Sequence, residues 1–479
     1  MQKLLTIVQQ NDTHGVLTEH PELFWGANGP FIRNVGGFAK MAQFVKGLRS
    51  KNRNVLFVDG GDLFHGTAPL VFSKGKAILP LLEKMSLDAF VPGNWDFAYG
   101  KEQLLSLTEK LPFSTLACNV LDQQTKKPVF APYEIKEIGD VKVGLIGITY
   151  PYVDVTMPES FSSGLVFNKG INQLPNIIQQ LKAESVDVIV LISHMGLPLD
   201  VKLASLIEGI DVILSGHSHD RIMKPIVTNQ TVIVQAGSSS SFVGRLDIGL
   251  ENSHITAMNY QLVPLESEDY QEDGEISTLT DSILAPYQSM QENRIGATKT
   301  LLHRATLNSA PMDKLITEAY LHQYEADLAF SHGWRYGTPI PPGPVTEYDL
   351  NQIIPANPQL FLVELSGEQL ITALETNLEQ VFSADPFEQK GGYILRSSGL
   401  FMTFKPYNPK GHRIQTLTIN DREFRLEDRY KIVSAGEQIL KKFENEKTYQ
   451  NTKAIDVLKE FFRMKNTVEL DEAPKIISV

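Results

Sequence analysis

The sequence predicts an α/β layered domain followed by a smaller α+β domain. In the first half, short runs rich in Val, Ile and Leu alternate with helical patterns, which is typical of folds in which helices cover a sheet. An acidic segment nearly free of apolar residues, 265–277, follows this alternation. The chain has 479 residues, too many for one compact core, so two large domains or three small ones are expected.

Several runs of the first half are predicted to be buried strands, because they are rich in branched apolar residues and bounded by polar residues or glycine. These runs are 4–9, 54–58, 142–148, 186–193, 210–215 and 231–235. Helical patterns lie at 37–50, 76–86 and 171–184, with a break expected at Pro80. A further strand is predicted in the run STLACNV, where Cys118 is expected to be an inert buried thiol.

The acidic segment predicts the end of the first domain, and a helical pattern at 277–294 is expected to bridge to the second. The predicted limits are 1–270 for the first domain, 271–297 for a linker helix and 298–479 for the second domain. Within the second domain, helices are expected at 311–325 and 366–381, and strands near 360–365, 400–405 and 414–419.

Composition limits the partners of the chain. The net charge of -12 argues against a nucleic-acid polymer or an anionic membrane, but a small anionic substrate stays compatible because metal ions can supply positive charge locally. No run approaches 18 apolar residues, so no membrane-spanning helix is expected. The single cysteine and the lack of an apolar run of signal-peptide length favour the cytoplasm, with an exported mature form left open. Nothing indicates the oligomeric state.

Polar clusters follow the predicted strands of the first domain at five places. They are NDTHG with Asp12 and His14, DGGD with Asp62, PGNW with Asn94, ISH with His194, and GHSHD with His217 and His219. Each cluster alone is more often structural than functional. Because the ends of strands in such a domain converge at one edge of the sheets, five clusters together indicate a metal centre.

The residue types indicate the chemistry of that centre. Asp and His suit borderline divalent metals such as Mn²⁺, Zn²⁺, Fe²⁺ or Co²⁺, and the absence of thiolate ligands argues against a structural zinc site. One carboxylate can bridge two metals about 3.5–4 Å apart, and the pair can activate the water held between them. The sequence therefore predicts a hydrolase built around two metal ions.

The order D-x-H, G-D, G-N, H and G-H-x-H resembles the calcineurin-like metallophosphoesterases. Segments 327–337, 360–369 and 391–399 widen the resemblance to the 5′-nucleotidase and 2′,3′-cyclic-nucleotide 2′-phosphodiesterase family over nearly the whole chain. The resemblance implies a four-layer sandwich, with helices around two mixed sheets, and a second, smaller α+β domain that binds substrate. It also implies a site in the cleft between the domains.

The resemblance further implies a role for individual residues. One metal would bind Asp12, His14, Asp62 and His219, and the other Asp62, Asn94, His194 and His217, so that Asp62 bridges. Mn²⁺ is the favoured metal. Arg335 matches the arginine that contacts the substrate's phosphate, a role that suits a guanidinium group, and Tyr393 matches one half of the aromatic clamp for a base.

The chain departs from the nucleotidases next to the metal ligands. They usually read G-N-H-E-F-D, whereas here Trp95 replaces the His and Ala98 the final Asp. An indole cannot carry positive charge, so this loss is expected to lower the rate by roughly 10²-fold. His332 is a candidate replacement near Arg335. The usual Gly-Gly-Asp-Gly-Tyr loop is also missing, since 430–438 reads YKIVSAGEQ.

Both departures resemble the sulfate thiol hydrolases of bacterial sulfur oxidation. These enzymes have Trp after the metal-loop ligand and an R-W-G-T segment, matched here by residues 335–338, and segments 391–404 and 408–414 are similar as well. Asn94, in contrast, follows the phosphatase pattern.

The sequence leaves three hypotheses. The first is a dinuclear phosphoester hydrolase in which a metal-bridging hydroxide attacks a small phosphate ester, nucleotides by default, with Asp62, Asn94 and Trp95 as the catalytic positions. The second is a hydrolase of a sulfonated thiol on a protein or peptide carrier. The third is a non-catalytic metal-binding module, which is disfavoured because all seven ligands are present.

Overall fold

The computed structural model describes residues 2–266, 268–307, 310–436 and 438–479. Contacts between Cα atoms divide the chain into two compact units. The first holds the residues up to Glu22 together with Arg33–Pro286, and the second holds Leu23–Ile32 and Tyr287–Val479. Among the described residues, no helix is long and apolar enough to cross a membrane.

The first unit contains two six-stranded sheets. In spatial order, the first sheet holds His254–Pro264, Phe242–Glu251, Gln2–Gln10, Val55–Asp59, Ala89–Phe90 and Ser114–Thr115. The second holds Ile226–Thr228, Thr231–Gln235, Val212–Ser215, Val188–Ser193, Val141–Ile148 and Tyr133–Ile138. Both are mixed, with parallel central pairs and antiparallel pairs at an edge. All six strands predicted in this half are present.

The core of the first unit lies between the two sheets. Leu5 and Val58 of the first sheet belong to one buried apolar cluster with Val190 and Leu214 of the second, so the sheets face each other. Helices cover the outer faces; for example, Leu181 packs against Gly144 of the second sheet. The predicted four-layer sandwich of helices around two mixed sheets is confirmed.

The helices of the first unit are short. The α-helices are Phe38–Arg49, Ala68–Ser73, Leu79–Met85, Lys101–Thr108, Val153–Thr156, Glu159–Ser162, Leu174–Ala183, Leu197–Leu206 and Gly274–Leu284. The 3₁₀ turns are Lys76–Ile78 and Trp95–Tyr99. A further strand pair of this unit is Val120–Asp122 with Leu165–Phe167. The hairpin of His20–Gly26 and Gly29–Val35 is divided, because its residues Leu23–Ile32 belong to the second unit.

Three local predictions need correction. The helix expected at 76–86 starts as a 3₁₀ turn, and Pro80 lies in the first turn of Leu79–Met85, where its missing N–H is not needed. The strand expected around Cys118 is interrupted, because the Cys118 N–H donates to the Gly147 carbonyl outside any strand pair, over 2.8 Å. Burial raises the pKa of the Cys118 thiol to about 12, in line with an inert thiol. The bridging helix expected at 277–294 is divided by a 3₁₀ turn, Ala285–Tyr287.

The second unit is a smaller α+β domain, as predicted. Its five-stranded sheet holds Arg396–Ser398, Leu328–Ser331, Arg429–Ser434, Gln359–Ser366 and Lys447–Lys453. The smaller sheets hold Gly343–Thr346, Arg294–Thr298 and Thr467–Val468, and Arg422–Glu423, Ile414–Ile419, Leu400–Phe404 and Ile476–Ser478. The helices are Gln288–Glu292, Pro311–Gln323, Glu347–Ile353, Gly367–Phe382 and Ala454–Lys465, with 3₁₀ turns Pro386–Glu388 and Gln438–Glu446.

Candidate metal centre

The seven predicted metal ligands lie on loops that follow strands of the two sheets in the first unit. Asp12 and His14 follow Gln2–Gln10, and Asp62 follows Val55–Asp59. Asn94 follows Ala89–Phe90, His194 follows Val188–Ser193, and His217 and His219 follow Val212–Ser215. Because these strands run parallel within each sheet, their carboxyl ends meet at one edge and bring the side chains together.

One group of ligand atoms consists of Asp12, His14 and His219, all within 4.8 Å of one another. The His14 Nε2 lies 3.2 Å from the His219 Nε2, and the latter lies 3.2 Å from the Asp12 Oδ1. Two imidazole nitrogens that face each other beside a carboxylate oxygen form a donor set suited to a divalent cation.

The second group consists of Asp62, His194 and His217, also within 4.8 Å, and Asn94 adds an oxygen to it. The Asn94 Oδ1 lies 2.8 Å from the His217 Nδ1 and 3.3 Å from the His194 Nε2. The Asp62 Oδ2 lies 3.4 Å from the His194 Nε2. The structure thus places the predicted second ligand set in one cluster.

Asp62 lies between the two groups. Its Oδ2, close to His194, is also 3.8 Å from the His14 Nε2 of the first group, while its Oδ1 accepts a hydrogen bond of 2.8 Å from the Trp95 N–H. A carboxylate within reach of both groups has the position that a bridging ligand requires.

Neighbouring groups fix the orientation of the ligands. The His194 Nδ1 donates to the Gly60 carbonyl oxygen over 2.6 Å, which directs the Nε2 toward the centre. The Asp12 Oδ2 accepts from the His217 N–H and the Asn11 amide. The buried Asp12 Oδ1 faces the Nε2 atoms of His219 and His194, at 3.2 and 3.7 Å, and a carboxylate oxygen that faces ring nitrogens in this way fits a cation.

Electrostatics also fit a cation site. Burial favours the protonated form of Asp12, but the charges of His219, His194 and His14 outweigh it and lower the pKa of Asp12. Burial lowers the pKa of His14 to about 4. For His194, Asp62 and Asp12 outweigh burial and raise the pKa to about 10. Two buried carboxylates therefore hold negative charge that imidazoles partly offset, and this set fits two divalent ions.

The backbone is strained at most of the ligands. The φ angles are 51° at Asp12, 47° at His14, 59° at Asp62, 69° at His217 and 62° at His219. Non-glycine residues seldom adopt positive φ, and such strain concentrates at functional sites. The ligand loops are held in place by their surroundings and are not relaxed turns.

Two glycines of the motifs have no space for a side chain. A Cβ on Gly61 would lie 2.5 Å from the His194 Nδ1, and a Cβ on Gly93 would lie 2.5 Å from the Asp62 amide nitrogen. The φ of Gly61 is also 101°, a value that favours glycine. The glycines of G-D and G-N are therefore required by close packing beside the ligands.

Asp96, which no sequence motif singled out, lies beside the candidate ligands. It is buried, and its carboxylate accepts hydrogen bonds of 2.7–2.9 Å from the backbone N–H groups of Asp62, Leu63, Phe64 and Gly93. Asp96 thus joins two ligand loops. Burial and the charge of Asp62 raise the pKa of Asp96 to about 7. Its only sequence signal is an acidic residue two positions after Asn94.

Trp95 is half-buried, and its indole stacks on the imidazole of His65, with ring centroids 4.6 Å apart. His65 is buried, and burial with the charge of His14 lowers the pKa of His65 to about 3. The position held by a positively charged histidine in nucleotidases is therefore part of an uncharged aromatic stack.

The predicted substrate residues lie in the second unit. The Arg335 Cζ is 5.9 Å from the centroid of the Tyr393 ring, so these two side chains are neighbours. His332 lies beside Trp334, with ring centroids 5.4 Å apart. Burial lowers the pKa of His332 to about 4, so this side chain is neutral at physiological pH.

Two family models match the chain. Residues 5–221 match the calcineurin-like phosphoesterase model, and residues 294–454 match the model of the 5′-nucleotidase C-terminal domain. The first match contains all seven candidate ligands, and the second contains Arg335 and Tyr393. The phosphoesterase family implies two divalent metal ions, and the two groups of ligand atoms agree with that number.

Among curated relatives, the trifunctional nucleotide phosphoesterase protein YfkN of Bacillus subtilis is 24% identical over 87% of this chain, and the chain spans only 30% of its length. The 5′-nucleotidase of Vibrio cholerae is 23% identical over 98% of this chain and 91% of its own.

Among solved structures, the sulfate thiohydrolase SoxB of Thermus thermophilus superposes with a TM-score of 0.91 at 25% identity, over 99% of this chain and 96% of its own. The 5′-nucleotidase precursor from Thermus thermophilus superposes with a TM-score of 0.87 at 23% identity, over 100% and 99%. The latter likeness speaks for the fold alone.

Proposed function

We propose that this chain, which belongs to the metallophosphoesterases that join a calcineurin-like phosphoesterase domain to a 5′-nucleotidase C-terminal domain, hydrolyses a nucleotide or a similarly small phosphate ester. The metal-dependent phosphoester hydrolase class follows from the family, and the substrate is the proposal. The observation that carries it is the pair of buried ligand groups with Asp62 between them.

The proposed ligand sets are those implied by the sequence. Asp12, His14 and His219 would hold one divalent ion, and Asn94, His194 and His217 the other, with Asp62 bridging, and Mn²⁺ is favoured. When bound, two such ions lower the pKa of a water molecule and neutralise charge on a tetrahedral anion.

The chain's own residues have three proposed tasks. Asp96 holds the Asp62 and Gly93 loops together, so Asp62 and Asn94 are fixed relative to each other before substrate binds. The Arg335 guanidinium suits two parallel hydrogen bonds to a phosphate. The neighbouring Tyr393 ring offers a surface on which a base can stack.

The stack of Trp95 on His65 lowers the expected rate of phosphate monoester hydrolysis. Neither ring carries charge near neutral pH, so the developing negative charge of a phosphate monoester receives less support than a histidine would give. We therefore expect slow turnover of 5′-monophosphates relative to nucleotidases that have His at this position. The leaving group would take its proton from water.

A second candidate substrate is a sulfonated thiol. It is favoured by Trp95 and by the likeness to a protein described as a sulfate thiohydrolase. The same ligand groups would serve, and the aromatic stack would suit a less polar carrier arm. This reading adds a protein or peptide carrier as a partner. The cytoplasm stays the proposed compartment, supported only by composition.

A panel of substrates distinguishes a phosphate ester from a sulfonated thiol as the substrate. Mn²⁺-loaded protein is given 5′-AMP, 2′,3′-cyclic AMP, bis(4-nitrophenyl) phosphate and a cysteine S-thiosulfonate peptide, with Asp62→Asn as the control. Release of phosphate or nitrophenol that the control abolishes supports the phosphoesterase. Turnover of the thiosulfonate alone contradicts it and assigns the sulfur substrate.

A further inference from the structure

We infer that the buried ion pair of Arg304 and Asp313 positions Arg335 and thereby sets the affinity for the substrate's anionic group. Neither residue has an assigned part in substrate binding. The inference rests on the role proposed for Arg335 and adds the residues through which the second unit keeps that guanidinium in place.

The segment that carries Arg335 starts where the strand Leu328–Ser331 ends. Within it, Trp334 and Tyr336 are buried and stack on each other, with ring centroids 5.8 Å apart. Arg335 lies between these two residues and is only half-buried. The two aromatic side chains anchor the segment, and the arginine between them stays accessible.

Arg304 binds the C-terminal end of this segment, at Tyr336. Its Nη1 donates to the Tyr336 carbonyl over 2.9 Å, and its Nη2 donates to the Ile353 carbonyl over 2.8 Å. Its Nε donates to the Asp313 Oδ2 over 3.0 Å. One guanidinium thus joins the residue that follows Arg335 to the helices Glu347–Ile353 and Pro311–Gln323.

Asp313 binds the N-terminal end of this segment, at Ser331. Its Oδ1 accepts a hydrogen bond of 2.6 Å from the Ser331 hydroxyl, and Ser331 is the last residue of the preceding strand. Together, the ion pair connects Ser331 to Tyr336 through two side chains. Both ends of the six-residue span Ser331–Tyr336, which contains Arg335, are therefore tied to the same ion pair.

Two glycines leave the segment no room to shift. A Cβ on Gly333 would lie 2.8 Å from the Ile394 carbonyl oxygen, and a Cβ on Gly337 would lie 3.1 Å from the Arg304 Nη1. Their φ angles are 68° and 94°, which favour glycine. The backbone thus packs directly against Arg304.

A positioning role explains the pair better than stability does. The side chains of Arg304 and Asp313 are only 2% and 1% exposed. A buried ion pair is often no more stabilising than apolar residues of similar volume, because both charges lose their hydration, but it does specify one geometry.

The test is the affinity for inorganic phosphate of Mn²⁺-loaded protein, measured by calorimetry, in Arg304→Met. We expect Kd to rise at least about 10-fold, since a displacement of about 1 Å in a binding group is costly, with two metal ions retained per chain. Arg413→Met is the matched control. Arg413 is equally buried in the same unit, donates to the Pro406 and Phe382 carbonyls and pairs with Glu379.

A double-mutant cycle distinguishes positioning from general destabilisation. If Arg304 acts through Arg335, then Arg304→Met adds no further loss to Arg335→Ala. Independent, multiplicative losses, or an equal loss in Arg413→Met, would overturn the inference. If Arg304→Met yields little folded protein, Arg304→Lys is used instead, with Arg413→Lys as its control. A lysine at position 304 cannot bind Asp313, Tyr336 and Ile353 at the same time.

The affinity for phosphate is measured without turnover, so the positioning role of Arg304 can fail independently of the proposed reaction. Loss of affinity in Arg335→Ala without any loss in Arg304→Met removes the positioning role and leaves the role of Arg335 intact. Unchanged affinity in Arg335→Ala removes both. Wild-type affinity for phosphate together with an inactive panel would leave the positioning role standing and contradict the proposed reaction.

Discussion

The indole of Trp95 lies nearly parallel to the imidazole of His65, with an interplanar angle of 16° and ring centroids 4.6 Å apart. The same Trp95 donates its backbone N–H to the Asp62 carboxylate. Trp95 thus orients the proposed metal ligand Asp62 through its main chain, and its side chain forms an aromatic surface with His65. This combination sets the expected substrate preference.

Replacing Trp95 by His together with Ala98 by Asp restores the usual nucleotidase residues at both positions. We expect 5′-AMP hydrolysis to rise by about 10²-fold, because a charged, oriented imidazole can stabilise the transition state. The measurement is kcat at saturating Mn²⁺. Trp95→Phe is the control, since it keeps a ring against His65 and should not raise the rate. An unchanged rate in the double variant with both metals bound would argue against this account of Trp95.

Asp96→Asn should weaken metal binding. An amide offers one acceptor oxygen where the carboxylate now serves four backbone N–H groups, so the loops at Asp62 and Gly93 lose their common partner. We expect affinity for Mn²⁺ to fall by about 10–100-fold, read from a titration of metal-free protein. Asp211→Asn is the control, because Asp211 accepts from the Ile189 N–H away from the centre. Equal effects of the two substitutions would contradict the assigned role.

Gly93→Ala should disrupt the centre through packing alone. Its Cβ would lie 2.5 Å from the Asp62 amide nitrogen, so Asp62 must move. We expect loss of one metal ion per chain and of activity. Gly47→Ala is the matched control, because a Cβ there would meet no described atom within 4 Å beyond the local backbone of its own helix. In the helix Phe38–Arg49 the change should add about 0.5–1 kcal/mol of stability. Full metal content in Gly93→Ala would contradict the packing argument.

Glu22 should make stability depend on pH in the acid range. Burial favours its neutral form, but hydrogen bonding to His20 and the charge of Arg221 outweigh burial and lower the pKa of Glu22 to about 2. A lowered pKa contributes stability above the ordinary value of 4.5, and this contribution is lost as the pH falls toward 2. With metal-free protein, the difference in unfolding free energy between wild type and Glu22→Gln should shrink by about 2 kcal/mol from pH 6 to pH 3. A constant difference would show that the carboxylate does not titrate as described.

The sequence was informative where local pattern decides structure. The fully buried strand Val188–Ser193 is a continuous apolar run, and the candidate ligand His194 follows it directly, so the strand and the position of His194 at its end could be predicted. Asp96 was not, because its four donors belong to loops some 30 residues apart and only the fold brings them together. The hairpin of His20–Gly26 and Gly29–Val35 was also missed, since its residues alternate weakly and, among the described strands, it forms a separate two-stranded sheet. For Arg304, burial and three partners become visible only in the packed second unit.

A two-metal centre bridged by Asp62 predicts a defined metal stoichiometry. Metal-free protein is loaded with Mn²⁺, passed through a desalting column and analysed by mass spectrometry for metal per chain, in the wild type and in Asp62→Asn. We expect two Mn²⁺ ions per chain in the wild type and at most one in Asp62→Asn. One ion or none in the wild type, or two in Asp62→Asn, would contradict it.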